Sequence, residues 1–358
     1  MKVYDKKDDY VGCKNIYRIV RIFNMKSSGI GGQAVLEGIM MRNGGKYAVA
    51  VRKPDKEIII DVKEHVGLTE KYKFLNVPFI RGIFKFAESL SIGIKTLTYS
   101  AEFFEDEEDD KESKASEEKG EKKEVSKTFE SILMGVTVLI SVLFSVGLFI
   151  VLPFFIGEFF RNIVGIQSNT AIAIFEGFAR ILIFVLYLVL ISKMKDIQRT
   201  FMYHGAEHKC INCIEHGLEL NVENVKKSSR LHKRCGTSFL LFVVVISIIS
   251  FIIVSAIIPE ASTGWLKLVV RLALIPIIAG ISFEILRLAG NSDGKIIGLL
   301  SKPGMLLQRL TTVEPEDDMI EVGIASVEAI FDWKKYLEEN FDIDSSEDTN
   351  IEGQKDEV

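Results

Sequence analysis

Residues 238–258 read SFLLFVVVISIISFIIVSAII. No charge interrupts the run. At about 1.5 Å per helical residue it is long enough for the ~30 Å hydrocarbon core of a bilayer. A core strand is far shorter, and a soluble helix keeps a polar face, so the stretch predicts a transmembrane helix. Working outward, three more runs have the same character: about Phe129–Phe155, Ala171–Ile191 and Leu266–Leu288. Composition agrees. The 358-residue chain is 48% hydrophobic and 26% charged, and its mean hydropathy is +0.22. Charged and apolar residues fall in separate blocks, as in a multi-pass membrane protein with water-facing parts.

The connection between the second and third runs carries Lys193, Lys195, Arg199, Lys209, Lys226, Lys227, Arg230, Lys233 and Arg234. The first-to-second connection carries only Arg161, and Lys267 alone stands at the edge of the third-to-fourth. The positive-inside rule then predicts a cell-membrane protein with both termini and this connection in the cytoplasm. The start, MKVYDKKDDYVGCKN, has no apolar core followed by a small-residue cleavage site, so no signal peptide is expected. The net charge of −5 comes largely from an acidic stretch and the tail, and predicts no nucleic-acid partner. The expected partners are the bilayer itself and a membrane-protein partner or oligomer.

The flanking regions are read more coarsely. KYAVAVR (46–52) and EIIIDVK (57–63) alternate around a KPDK turn and predict a hairpin. GIGGQ lacks the spacing of a nucleotide loop and reads as a tight turn beside it. Residues 76–100 place Ile80, Ile83, Phe84, Phe86, Leu90, Ile94 and Leu97 at helical spacing, broken by Arg81, Lys85, Glu88 and Lys95, which predicts an amphipathic interfacial helix or a re-entrant segment. The expected layout is an N-terminal segment (1–28), a cytoplasmic β-containing module (29–75), that helix (76–101), a disordered acidic linker (102–127), a transmembrane hairpin (128–192), a His/Cys loop (193–236), a second hairpin (237–290), an amphipathic C-terminal helical region (291–340) and a disordered tail (341–358). In the C-terminal region Glu316, Asp317 and Asp318 mark a helix start. Ile320, Ile324, Val327 and Phe331 form the stripe that packs on the N-terminal hairpin. The fold class is a predominantly α-helical integral membrane protein with four spans. Within them Arg271 and Arg287 are read as snorkelling to an interface, and Glu176 and Glu284 as contacting each other.

The basic connection also holds MYHGAEHKCINCIEHG (202–217) and LHKRCG (231–236), with four of the five histidines and three of the four cysteines. Four cysteines make no disulfide framework in so long a chain; clustered with histidine they suit metal ligation. On a helix His204 and His208 stand at i and i+4 on one face, with Glu207 beside them as ligand or general base. His-x-x-Glu-His is the inverzincin order. His232 and Cys235 can complete a tetrahedral site on a divalent ion, most naturally zinc, with Cys213 in reserve. Cys210-x-x-Cys213 with His232-x-x-Cys235 also has the spacing of a structural zinc finger, and histidines that only cap helices are the third reading.

GGQAVLEGIMMR, YHGAEHK, LHKRCGTSF and PGMLLQRLTTVEPEDDMIEV together resemble the YqhQ-like family, bacterial multi-pass proteins of unknown function described as predicted metal-dependent enzymes. The resemblance runs from about Gly29 to about Trp333. It implies that His204, Glu207, His208, His232 and Cys235 belong to one motif set, that Arg234 and Thr237 support the thiolate, and that Gln33, Glu37 and Arg42 form a bonded network. Cys210 is outside the pattern, which weakens the finger. The function expected is a metal-dependent hydrolase of unknown substrate with Glu207 as its base. The alternatives are a non-catalytic scaffold or membrane-protein biogenesis factor with structural zinc, and, third, a transporter using Glu176 or Glu284.

Overall fold

The computed structural model describes residues 26–113, 127–258, 264–290 and 295–341. It is mostly helical with one small sheet. Strands β1 (Gly31–Val35), β2 (Gly38–Asn43), β3 (Lys46–Arg52) and β4 (Ile58–Glu64) form an antiparallel meander in sequence order. The expected hairpin is thus its second half. The stretch taken for a tight turn, Gly31–Gly32, is instead strand, paired with Arg42 and Met41. The β1–β2 turn puts Glu37 at φ +48°, a conformation that costs a non-glycine residue energy. Its carboxylate accepts from Arg199 and from the Tyr203 hydroxyl at 3.2 Å, which fixes the turn.

Period-two alternation on β2 and β3 feeds two cores. Ile39, Met41 and Ala50 face one side and meet helices α6 (Lys195–Glu215) and α11 (Asp317–Glu328); the Ser326 hydroxyl on α11 donates to the Ile39 and Ala48 carbonyls. Met40, Tyr47, Val49 and Val51 face the other side and meet Ile92 of α2 (Ile80–Ser113). A short α1 (Leu68–Lys71) lies between the sheet and α2. Helix α2 continues to Ser113, into the segment read as a disordered linker; residues 114–126 lie outside those described. Helix α11 ends at Glu328, before Phe331, and α12 (Trp333–Phe341) follows.

Among the described residues, four helices are long and apolar enough to cross a membrane. The first is α3 (Lys127–Val146) and α4 (Leu152–Val164), joined by a π-helical turn at Gly147–Val151 just before Pro153; a proline there lacks an N–H and loosens the turn ahead of it. Its apolar stretch continues past the expected end at Phe155 to Val164. The others are α5 (Asn169–Ile191), capped by the Ser168 hydroxyl, α8 (Gly236–Ile257) and α9 (Gly264–Gly290). Helix α7 (Val222–Lys227) follows α6, and α10 (Lys295–Thr311) packs on α8.

The charges inside the spans are arranged differently from expectation. Glu176 and Glu284 do not contact each other. Glu176 is buried and accepts from Lys267 at 2.6 Å and from Arg271, so Arg271 does not snorkel: it is only 3% exposed. Carboxylate and guanidinium remove each other's need for water, a closer solution than reaching the interface. Gly157 makes room for this, since a Cβ there would collide with the Glu176 carboxylate. Glu284 instead holds Arg81 of α2 (Nε 2.6 Å), tying that helix to α9.

Candidate metal centre

On α6, the helical repeat sets His204, His208, Asn212 and Glu215 along one face. Gly205 lets this helix lie against the segment after α10, since a Cβ at 205 would strike the Val313 carbonyl. That approach brings the Thr311 carbonyl within 2.8 Å of His204 Nδ1. On the other side the Arg230 carbonyl sits 2.6 Å from His208 Nδ1. Each Nδ1–H donates to a carbonyl, which fixes the tautomer and leaves Nε2 to take a metal.

Cys235 is the N-cap of α8, and its Sγ accepts from the Thr237 N–H at 3.4 Å, where the helix dipole favours negative charge. It lies 3.2 Å from His204 Nε2, and the three ligand atoms of His204, His208 and Cys235 fall within 4.8 Å of one another. Zinc takes nitrogen near 2.0–2.1 Å and thiolate near 2.3 Å, so two imidazoles and a sulfur at these separations fit one tetrahedral ion with a position left over.

Electrostatics points the same way. Burial pushes the Cys235 thiol up, but the imidazoles of His204 and His208 outweigh it and leave the group well below the usual thiol range. Burial lowers His204, yet the facing Cys235 and then Glu207 raise it to about 9. Glu207 is 5% exposed and 4.0 Å from His204 Nε2; burial raises its carboxyl, with the two imidazoles opposing.

Not every sequence candidate joins the cluster. His232 is within reach of His208 (ring centroids 5.6 Å), but its Nε2 pairs with Glu215 at 3.4 Å. Its backbone is clamped by Gln308, which accepts from the His232 N–H and donates to its carbonyl. Glu215 is fully buried and also accepts from Arg234 and from Ser28 at 2.7 Å; burial raises its carboxyl, but His232, Arg234 and Ser28 bring it down to about 2. Arg234 therefore serves Glu215, not the thiolate, whereas Thr237 does touch Cys235. Gln33 fits its amide against Gly93, Arg42 pairs with Glu88, and Glu37 grips Arg199 and Tyr203 of α6, so these three brace the sheet and α6 from outside the cluster.

Cys210 packs beside Gly323 in the sheet core, and burial holds its thiol well above the usual range. Cys213 faces the Glu219 carbonyl at 3.3 Å, with burial raising it to about 12. Neither groups with His232 and Cys235 among the described residues, which removes the finger arrangement. His216 caps α6, half-buried, with Nδ1 on the Asn212 carbonyl.

A cleft of about 350 Å³ opens between the glycine strand and α2, lined by Gly31, Gly32, Met40, Arg42, Lys85 and Ser89 among others. Gly32 is the partition between this cleft and Glu207: a Cβ there would sit 2.8 Å from Glu207 Cγ. Glycine, arginine and lysine at these places carry no recognisable spacing, and only the fold brings them together.

Residues 77–333 match a family described as "Protein of unknown function (DUF1385)". The chain is 36% identical over 318 residues to "Uncharacterized protein YqhQ" of Bacillus subtilis (strain 168), covering 87% of this chain and 94% of that protein. No solved structure matches it.

Proposed function

The chain belongs to the DUF1385 family of proteins of unknown function, and on that premise we propose that it is a membrane-embedded, zinc-type metal-dependent hydrolase with its site on the cytoplasmic side. The observation that carries the reading is convergence: two imidazoles, each tied by Nδ1 to a backbone carbonyl, turn Nε2 toward one thiolate. His204, His208 and Cys235 would hold the ion. Bound there, it would supply Lewis acidity and bring a water's pKa toward neutrality.

The chain's own residues account for the rest. Glu207, buried beside the imidazoles with its proton affinity raised, accepts and returns a proton. Three protein ligands leave a position open, the mark of catalytic rather than structural zinc. Gly32 gives the cleft its closest approach to Glu207, so a substrate seated against β1 lies near the base. The cytoplasmic placement rests on the loop charges: the second-to-third connection is strongly basic, and Lys267, counted at the edge of the opposite one, is buried on Glu176 inside α9.

A second reading, structural zinc in a scaffold or biogenesis factor, is favoured by the burial of the cluster where α6, α8 and the segment after α10 meet. Elemental analysis and a cellular complementation assay on Glu207→Gln separate the two. The hydrolase reading expects full metal content with function abolished. Full metal content with function intact overturns it in favour of the structural site.

A further inference from the structure

The stretch between the sheet and α2, VGLTEKYKFLNVPFI, leaves its large apolar side chains outside every core. Phe74 is 73% exposed and Phe79 55%, and Leu68, Val77 and Ile80 are exposed with them. Water-facing surfaces rarely present such a run. Its position follows from its contacts. Gly82 packs against the Gly280 backbone, and the Phe79 carbonyl lies where a Cβ on Gly280 would stand. Gly280 is eight residues before Leu288, the end of the fourth apolar span, so this contact lies up to about 12 Å inside it, against a leaflet of roughly 15 Å.

The descent can be followed. Gly67 abuts Glu88 and Glu70 faces Lys85 at 3.6 Å, while Phe86 stacks on Phe239, near the start of α8. From Glu88 back to Ile80, α2 drops another eight residues, again about 12 Å. Two independent helices therefore give the same depth.

We propose that Leu68–Ile80 is a re-entrant loop inserted among the lipid acyl chains of the leaflet on the sheet's side, beside the fourth span. Irregular backbone is tolerated at that depth where it lies against protein, and the Phe79 backbone packs on Gly280 of α9 while the apolar side chains face outward. Here the N–H groups of Leu75, Asn76, Ile80, Arg81 and Gly82 bond to the carbonyls of Tyr72, Lys73, Pro78, Val77 and Phe79. The tip turns at Phe79 with φ +67°, and the Arg81–Glu284 pair pins it. Lys85, facing Glu70, stands nearer the loop's root, where its ammonium group reaches the headgroups. The cleft beside Gly32, lined by Lys85, opens at that root, so it lies at the boundary between lipid and water.

The test uses the full chain in phosphatidylcholine vesicles, in a Trp265→Phe background that keeps the buried Trp333. Emission added by Phe74→Trp should fall about twofold or more with acyl-chain-brominated lipid and resist aqueous iodide, as expected for a side chain below the headgroups. Quenching by iodide but not by bromine places the loop in water and overturns the proposal. Quenching by neither places it under protein, such as a second copy, and overturns it equally. If the variant does not reconstitute, a lipid-soluble carbene reagent on the unaltered chain decides: labelling of residues 74–80 at the level of the spans supports insertion, and its absence refutes it.

Discussion

At the scale of single residues, the centre depends on which atom each side chain turns inward. His204 and His208 are oriented by backbone carbonyls, so only the ligand atoms themselves are replaceable by design. Cys235→Ala should lower zinc affinity by more than about 100-fold, while Glu207→Gln keeps the metal; equilibrium dialysis with elemental analysis reads both. Gly205→Ala tests the approach that brings Thr311 to His204. Its Cβ meets the Val313 carbonyl, so it should cost about 1–3 kcal/mol of stability and weaken metal binding as well, measured by thermal unfolding and the same dialysis. His204 and His208, with Glu207 beside them, were legible because i, i+4 spacing on a helix forces proximity whatever the tertiary fold; Cys235 stands on another element, the N-cap of α8, and only its motif pointed to it. His232 was not legible. Its three-residue separation from Cys235 fixes closeness but not direction, and Glu215, which turns it away, stands in no motif. The signal was available in part: Glu215 lies on the same helical face as His204 and His208.

Among elements, the spans are held by ion pairs rather than by apolar contact alone. Glu176 on α5 serves Lys267 and Arg271 on α9, all three almost fully buried. Removing the Glu176 carboxylate leaves Arg271 unpaired and Lys267 with only Glu158 at 3.4 Å, in a medium that solvates cations poorly. Glu176→Ala should cost about 3–5 kcal/mol and lower the melting temperature in detergent markedly. Glu284→Ala, which releases Arg81 and the half-exposed Arg287 (4.0 Å), should cost less; equal losses would mean that burial does not rank the two. Hydropathy made the helices legible, because about twenty apolar residues allow few alternatives. It could not pair the charges, since sequence gives neither the rotation of a helix nor its neighbours. The four-stranded sheet was half legible for a related reason. Alternation flagged the strands around the KPDK turn, whereas GGQAV and GIMMR are glycine- and methionine-rich, and their strand character comes from pairing.

The whole molecule has the sheet, α6 and α11 gathered around one core, with the cluster where that core meets the spans. Metal binding there should couple to global stability. Free zinc at about 100 times its dissociation constant should add about 2.7 kcal/mol, and chelation should remove it, with the melting temperature following in both directions. A melting temperature indifferent to chelator would mean that the ion, if bound, bridges nothing. On the proposed function, His204, His208 and Cys235 would gather one ion with a place left open. Zinc-edge X-ray absorption on the purified protein tests it most directly. The prediction is one zinc per chain with two imidazole nitrogens, one sulfur and one light-atom ligand, unchanged in a Cys210→Ala, Cys213→Ala double variant. A shell with two or three sulfurs, lost in that variant, or a protein that binds no stoichiometric metal, would contradict it.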